Sequence, residues 1–137
     1  MKGMWIVLRV LVAAGLAVDA YVHAVTASAY DFPAGGLITQ GDLFIVEATV
    51  AGLAAVAVLV FPRRSTFGFA FVVAASALGA VVLYRYVDIG SLGPLPRMYE
   101  PVWTADKLIS AAAEAVAAVL ALAGFVGSPR ARGRHGQ

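Results

Sequence analysis

Four apolar runs, each about as long as a bilayer is thick, leave this chain few choices of fold. Residues 4–27 are apolar apart from Arg9, Asp19, His23 and Thr26, and residues 43–61 are broken only by Glu47 and Thr49. Residues 67–87 carry Arg85 near their end, and residues 101–126 complete the set. Each run is roughly 19–26 residues long, and about 20 residues of helix cross the hydrocarbon core. Strands of a barrel would alternate apolar and polar positions, which these runs do not, so helices are the spanning structure that satisfies the backbone in lipid. The expected fold is all-α: a single integral membrane domain over residues 1–137, folded as an up-down four-helix bundle. Composition agrees, since 61% of residues are hydrophobic and only 13% charged, against about 45–50% and 25% in soluble domains.

Breakers and caps separate the runs. Pro62-Arg63-Arg64 stops the second, and so short a link makes runs two and three antiparallel neighbours. Gly90, Gly93, Pro94 and Pro96 break the chain before the fourth run, where Pro101 suits a first helical turn. Thr39-Gln40-Gly41-Asp42 reads as a capping box with Asp in place of Glu. Lys2, Arg9, Arg63, Arg64 and the tail arginines Arg130, Arg132 and Arg134 then set orientation. The positive-inside rule puts both termini, the 62–66 link and a basic 127–137 tail in the cytoplasm, and the 28–42 and 88–100 links outside. An alternative start is a signal peptide: Lys2, an apolar run and the small triplet Ala27-Ser28-Ala29 imitate one, although Arg9 and Asp19 interrupt the run.

In that orientation every Asp and Glu lies at or beyond the midplane on the outer side, and the inner half is aliphatic with basic ends. Glu114 falls about 20 Å into the fourth helix at about 1.5 Å per residue. Asp19 and His23 share a helix face, as do Tyr84 and Asp88. Trp103, Lys107, Ser110 and Glu114 form a stripe, with Asp106 joined to it through Ser110. Charges in hydrocarbon face the bundle interior and pair with one another. Asp19, His23, Glu47, Arg85, Lys107 and Glu114 are therefore expected to converge on an outward-opening pocket. Tyr84, Tyr86 and Trp103 would form its rim. Ala51/Ala55, Ser76/Ala80 and Ala111/Ala115 are small pairs that let helices approach closely.

Several functions fit such a cluster. It can be a structural network, with Arg85 and Lys107 paired to Glu47, Asp19 or Glu114. It can hold a metal on Asp19, His23, Glu47 and Glu114, although the paired Glu-x-x-His pattern of di-iron bundles is absent. It can relay protons, or form the polar end of a pocket for a lipid, quinone or small molecule. A subunit role beside another membrane protein or a second copy is a further alternative. His135 lies in the tail, so two histidines cannot meet on a haem. The chain has no cysteine, which removes disulfides, thiolate zinc and iron–sulfur clusters. No phosphate loop, nucleophile motif or basic face is present, so the sequence assigns no catalytic residue, no cofactor and no nucleic-acid partner.

Four stretches carry a resemblance. They are Val18-Asp19-Ala20-Tyr21-Val22-His23-Ala24, the segment from Gln40 to Ala48, Tyr84-Arg85-Tyr86-Val87-Asp88-Ile89-Gly90, and the segment from Gly93 to Trp103 with Lys107. Together they resemble a family of small four-helix integral membrane proteins of actinobacteria. That resemblance implies the fold, and it brings no established activity or site residues. In size and topology the chain is also similar to DoxX-like membrane proteins, which implies a quinone-linked redox subunit as an alternative function.

Overall fold

The computed structural model describes residues 2–129; the arginines at 130, 132 and 134 and His135 lie outside the described residues. Four helices account for most of it: α1 (Lys2–Thr26), α2 (Gln40–Val60), α3 (Arg64–Tyr86) and α4 (Ala105–Gly127). A short 3₁₀ turn, Ala27–Tyr30, extends α1. All four helices are long and apolar enough to cross a membrane, which makes the chain a multi-pass helical membrane protein.

Local hydrogen bonds set the helix starts, and they shift three of the expected boundaries. The capping box at the head of α2 is formed: the Thr39 hydroxyl accepts the Asp42 amide at 3.0 Å and the Asp42 carboxylate accepts the Thr39 amide at 2.9 Å. Capping by Thr39 starts α2 at Gln40 rather than at residue 43. Thr66 accepts the Arg63 amide at 3.0 Å, so α3 begins at Arg64 rather than at residue 67. On α4 the correction runs the other way. The Thr104 hydroxyl accepts the Lys107 amide at 3.2 Å and starts the helix at Ala105, leaving Pro101 in an extended lead-in. Measured from that start, Glu114 is only about 14 Å along the helix axis. The expected Tyr84–Asp88 face pair does not form either. α3 ends at Tyr86, and the Asp88 carboxylate instead accepts the Gly90 amide at 3.1 Å, where Gly90 turns the chain with φ 75°.

The core is built from small residues. Val12 and Leu16 of α1, Ala51, Ala54 and Val58 of α2, Ala70 and Ala74 of α3, and Ala117 and Ala121 of α4 are completely or almost completely buried. Alanine on facing helices lets the backbones approach and replaces hydrophobic driving force with close van der Waals contact. Large residues such as Leu53, Val56, Val72 and Val119 sit on the outside, the reverse of a soluble protein and suited to lipid tails. Of the small pairs, Ala51/Ala55 is buried as expected; Ser76 and Ala80 are exposed and Ala111 and Ala115 half-buried.

α1 packs along both α2 and α4, and α4 along α3, whereas α2 and α3 touch least of the neighbouring pairs despite their short link. One end is tight: the Trp5 and Phe67 rings lie 6.2 Å apart, beside Gly124 and Gly127. At the other end the two long links are stitched together. The Leu37 amide donates to the Pro94 carbonyl at 3.0 Å and the Arg97 amide to that of Ala34 at 2.8 Å. Between them Gly93, at φ 58°, makes the turn that pairs Leu92 with Leu95.

Candidate functional site

Helical periodicity places the first two groups. Asp19 and His23 are one turn apart on α1, and His23 Nδ1 lies 2.9 Å from both the Asp19 carbonyl oxygen and Asp19 Oδ1. On α4, Ser110 and Glu114 repeat the relation, with Ser110 Oγ 2.9 Å from Glu114 Oε1. The close packing of α1 on α4 then joins the two pairs, because Ser110 Oγ is also 2.9 Å from Asp19 Oδ1. Gly15 permits this approach: a Cβ there would lie 3.0 Å from the Ala113 carbonyl oxygen. From α2, Glu47 lines one cavity together with His23 and Ser110. The His23 ring meets Phe44 edge-on, with centroids 4.9 Å apart and planes at 83°.

Two features make this cluster unusual. Asp19 and Glu114 are fully buried, yet Asp19 Oδ2, Glu114 Oε2 and Glu47 Oε1 have no hydrogen-bond partner among the described residues. The Ser110 hydroxyl owns a single hydrogen but contacts two carboxyl oxygens. One of those contacts therefore needs a proton on a carboxyl group or a cation that both oxygens share. Serine, histidine and aspartate meet here without making a hydrolytic triad. Ser110 is bonded to Asp19, and no Ser110–His23 hydrogen bond exists among the described residues, so the imidazole is not placed to take the hydroxyl proton.

Above the cluster lies a cavity of about 340 Å³. Val22, Leu43, Phe44, Ala77 and Val81 give it apolar walls, while His23, Glu47 and Ser110 line its polar side. Asp19 and Glu114 stand buried directly behind Ser110. Val46 of α2 and Ser76 and Ala80 of α3 also line it and are exposed, which puts a mouth in the gap between those two helices. The cavity extends to Tyr30, Met98, Glu100 and Thr104, at the level of the stitched links.

Of the expected convergent residues, Asp19, His23, Glu47 and Glu114 come together, with Ser110 at their centre. The two cations line the same cavity but make no ion pair with these groups among the described residues. The Lys107 ammonium turns to the lead-in of α4, donating to the Val102 carbonyl at 2.8 Å and the Glu100 carbonyl at 3.0 Å, and pairs with Glu100 Oε2 at 3.2 Å. Three acceptors close at hand hold it there, and burial beside the cluster would strip its water. Arg85 lies over the Tyr86 ring at 4.8 Å and the Trp103 ring at 5.7 Å, and makes no salt bridge among the described residues. It lines the cavity, as does Asp106, which is exposed at the rim. The expected pairing of Arg85 and Lys107 with Glu47, Asp19 or Glu114 is thus replaced by carboxyls that face one another.

Glu100 is the residue that sequence reasoning passed over, treating it as an ordinary loop acid. Its carboxylate accepts the Tyr30 hydroxyl at 3.1 Å and pairs with Lys107, and its amide donates to the Tyr84 carbonyl at 3.1 Å, tying α1, α3 and α4 at one point. The Glu100–Lys107 spacing across Pro101 is a faint signal, because it acquires meaning only once the helix is known to start at Ala105. No known protein family, curated protein or solved structure matches the chain.

Proposed function

We propose that this is an up-down bundle of the bacterial plasma membrane, with both termini cytoplasmic, whose cavity opens outward and binds a small amphipathic molecule. It acts without catalysis, alone or as a subunit beside another membrane protein. The cavity carries the reading: apolar walls for a hydrocarbon body lead to His23, Glu47 and Ser110, with Asp19 and Glu114 behind them. Arg85 and Lys107 also line the cavity, but aromatic rings and Glu100 engage them, so the carboxyl oxygens at the cluster favour a ligand head that donates hydrogen bonds or bears positive charge, such as a primary amine. Orientation is supported by the lysine and arginine distribution: Arg63 and Arg64 mark one side, and the links around Gly35 and Gly93 carry only Arg97.

Two measurements test this reading. A reporter fused after Arg64 is expected on the cytoplasmic side and one inserted at Leu92 on the outside; the reverse result defeats the orientation. For binding, the thermal stability of the full chain in lipid nanodiscs is followed with a long-chain alkylamine, the matching alcohol and a quinone analogue. The amine is expected to stabilise the protein most, and Ala80→Trp, which fills the cavity, to remove the effect. Stabilisation that survives Ala80→Trp, or none from any of the three, refutes the pocket. Preference for the quinone analogue would favour the redox-subunit alternative.

A further inference from the structure

We infer that Asp19, His23 and Glu114 form a site for a single first-row divalent cation of the Zn²⁺ or Mn²⁺ class, set into the wall of the cavity, which His23 lines. The inference does not depend on the cavity's holding an organic molecule. It rests first on geometry: one ligand atom from each of the three side chains lies within 4.8 Å of the other two, across two packed helices. Bonds of about 2.0–2.2 Å to a common ion would draw these atoms somewhat closer, a movement within reach of carboxylate rotation.

The second ground is unmet hydrogen-bonding capacity. Asp19 and Glu114 are both 0% exposed, and each leaves one carboxyl oxygen without a partner among the described residues. A buried polar atom with no partner is costly, and here two such atoms belong to side chains already gathered around one point. Glu47, in the cavity lining with His23 and Ser110, adds a third partnerless oxygen. Charge gives the third ground. Three carboxyls and one imidazole are packed together while Lys107 is engaged by Glu100 and Arg85 by aromatic rings. A divalent ion would neutralise most of this charge. It would also remove the conflict at Ser110, whose one hydrogen could then serve Asp19 or Glu114 alone.

Donor chemistry narrows the ion. Ca²⁺ and Mg²⁺ prefer all-oxygen shells, with six or more ligands for Ca²⁺ and several retained waters for Mg²⁺. One imidazole among carboxylates, with no thiolate in the chain, suits Zn²⁺ or Mn²⁺ instead. Ser110 would hold one of the Asp19 and Glu114 carboxylates in place by its hydrogen bond, as partners of metal ligands commonly do.

The test uses the untagged full chain in detergent micelles, stripped with a chelator and then given Zn²⁺ or Mn²⁺ alone. After dialysis, about one ion per chain is expected to remain. Glu114→Gln and His23→Gln should each weaken binding more than about tenfold, while Asp31→Asn, remote from the cluster, leaves it unchanged. Helical circular dichroism reports whether each variant is folded. A second measurement needs no change at the site. In a His135→Ala background, His23 is the one histidine left, and pulsed electron paramagnetic resonance of bound Mn²⁺ should show imidazole ¹⁴N coupling. Failure of the wild-type chain to retain either ion overturns the site. So does binding that both substitutions leave intact, or bound Mn²⁺ without the nitrogen coupling.

Discussion

The Trp5–Phe67 end and the His23–Phe44 end of the same four helices are packed by opposite rules. At the first, glycine and alanine are answered by bulk: Gly124 faces the Phe67 ring with no space for a side chain, and Gly68 lies against Phe125, a Cβ there being 3.1 Å from that ring. At the second, the small residues Ser76, Ala77 and Ala80 of α3 face a helix that stays away, and the space between becomes the cavity. What closes that end is polar, namely the Asp19–Ser110–Glu114 contacts and the hub at Glu100. A small residue is therefore a permission and not a seam. It gives close packing only where the partner helix supplies something to fill the gap.

Substitutions that add volume should separate the two ends most sharply. Gly124→Val would push a branched side chain into Phe67, which is 1% exposed and has nowhere to move. A loss of about 3 kcal/mol is expected in reversible unfolding by denaturing detergent. Gly79→Ala, where an added Cβ meets nothing within 4 Å, should be neutral or slightly stabilising. Equal effects of the two would abolish the distinction. Next in size is a matched pair of alanines: Ala117→Leu in the sealed core should cost about 2 kcal/mol, and Ala80→Leu at the cavity under about 0.5 kcal/mol. Should Ala80→Leu prove as costly as Ala117→Leu, α2 and α3 are closed in the bilayer and the cavity is absent there.

The polar end can be probed by removing a partner. Glu114→Leu fits the site in volume but leaves Ser110 with Asp19 alone and without its contact to Glu114 Oε1, and about 1–2 kcal/mol of stability should be lost. Asp31→Ala gives up only an exposed bond from the Thr39 hydroxyl and should cost less than about 1 kcal/mol. If both changes are tolerated alike, the cluster does not help to hold the bundle together.

How far these features could be read beforehand depended on the range over which each is decided. The spans, the Thr39–Asp42 cap and the Asp19–His23 and Ser110–Glu114 pairs follow from apolar length and helical period, which act within one or two turns. The head of α4 was ambiguous because Pro101 and Thr104 are both good helix starters, and the choice fell to a hydroxyl contact with the Lys107 amide. Lys107 and Arg85 escaped prediction for a different reason. Their long side chains can reach several partners, and which one wins depends on loop carbonyls and rings placed by the tertiary fold. A pocket at the polar cluster was expected, but its mouth between α2 and α3 was illegible because the spacing of Ser76 and Ala80 is the same as that of a packed seam.

A modest effect is expected at Lys107, and it bears on whether the polar end is held by the helices or by the links above them. Its side chain is 13% exposed and that of Glu100 31%, so the ion pair is partly screened and its own contribution is modest. The two carbonyl contacts matter as much, since they fix the 100–102 backbone to the first turn of α4. Lys107→Met keeps the length and removes all three contacts, and a global loss of about 1 kcal/mol is expected. The larger change should be local. Amide exchange at Glu100 and Arg97, which donate to Tyr84 and Ala34, should accelerate, while Ala117 in the core exchanges as before. Tyr30→Phe isolates the remaining contact, because it deletes one hydroxyl bond to Glu100 and leaves the charges in place. A milder acceleration at the same amides would make Glu100 the latch of the links. No acceleration in either variant would mean that the Leu37–Pro94 and Arg97–Ala34 bonds hold the cap unaided and that the cavity is covered independently of α4.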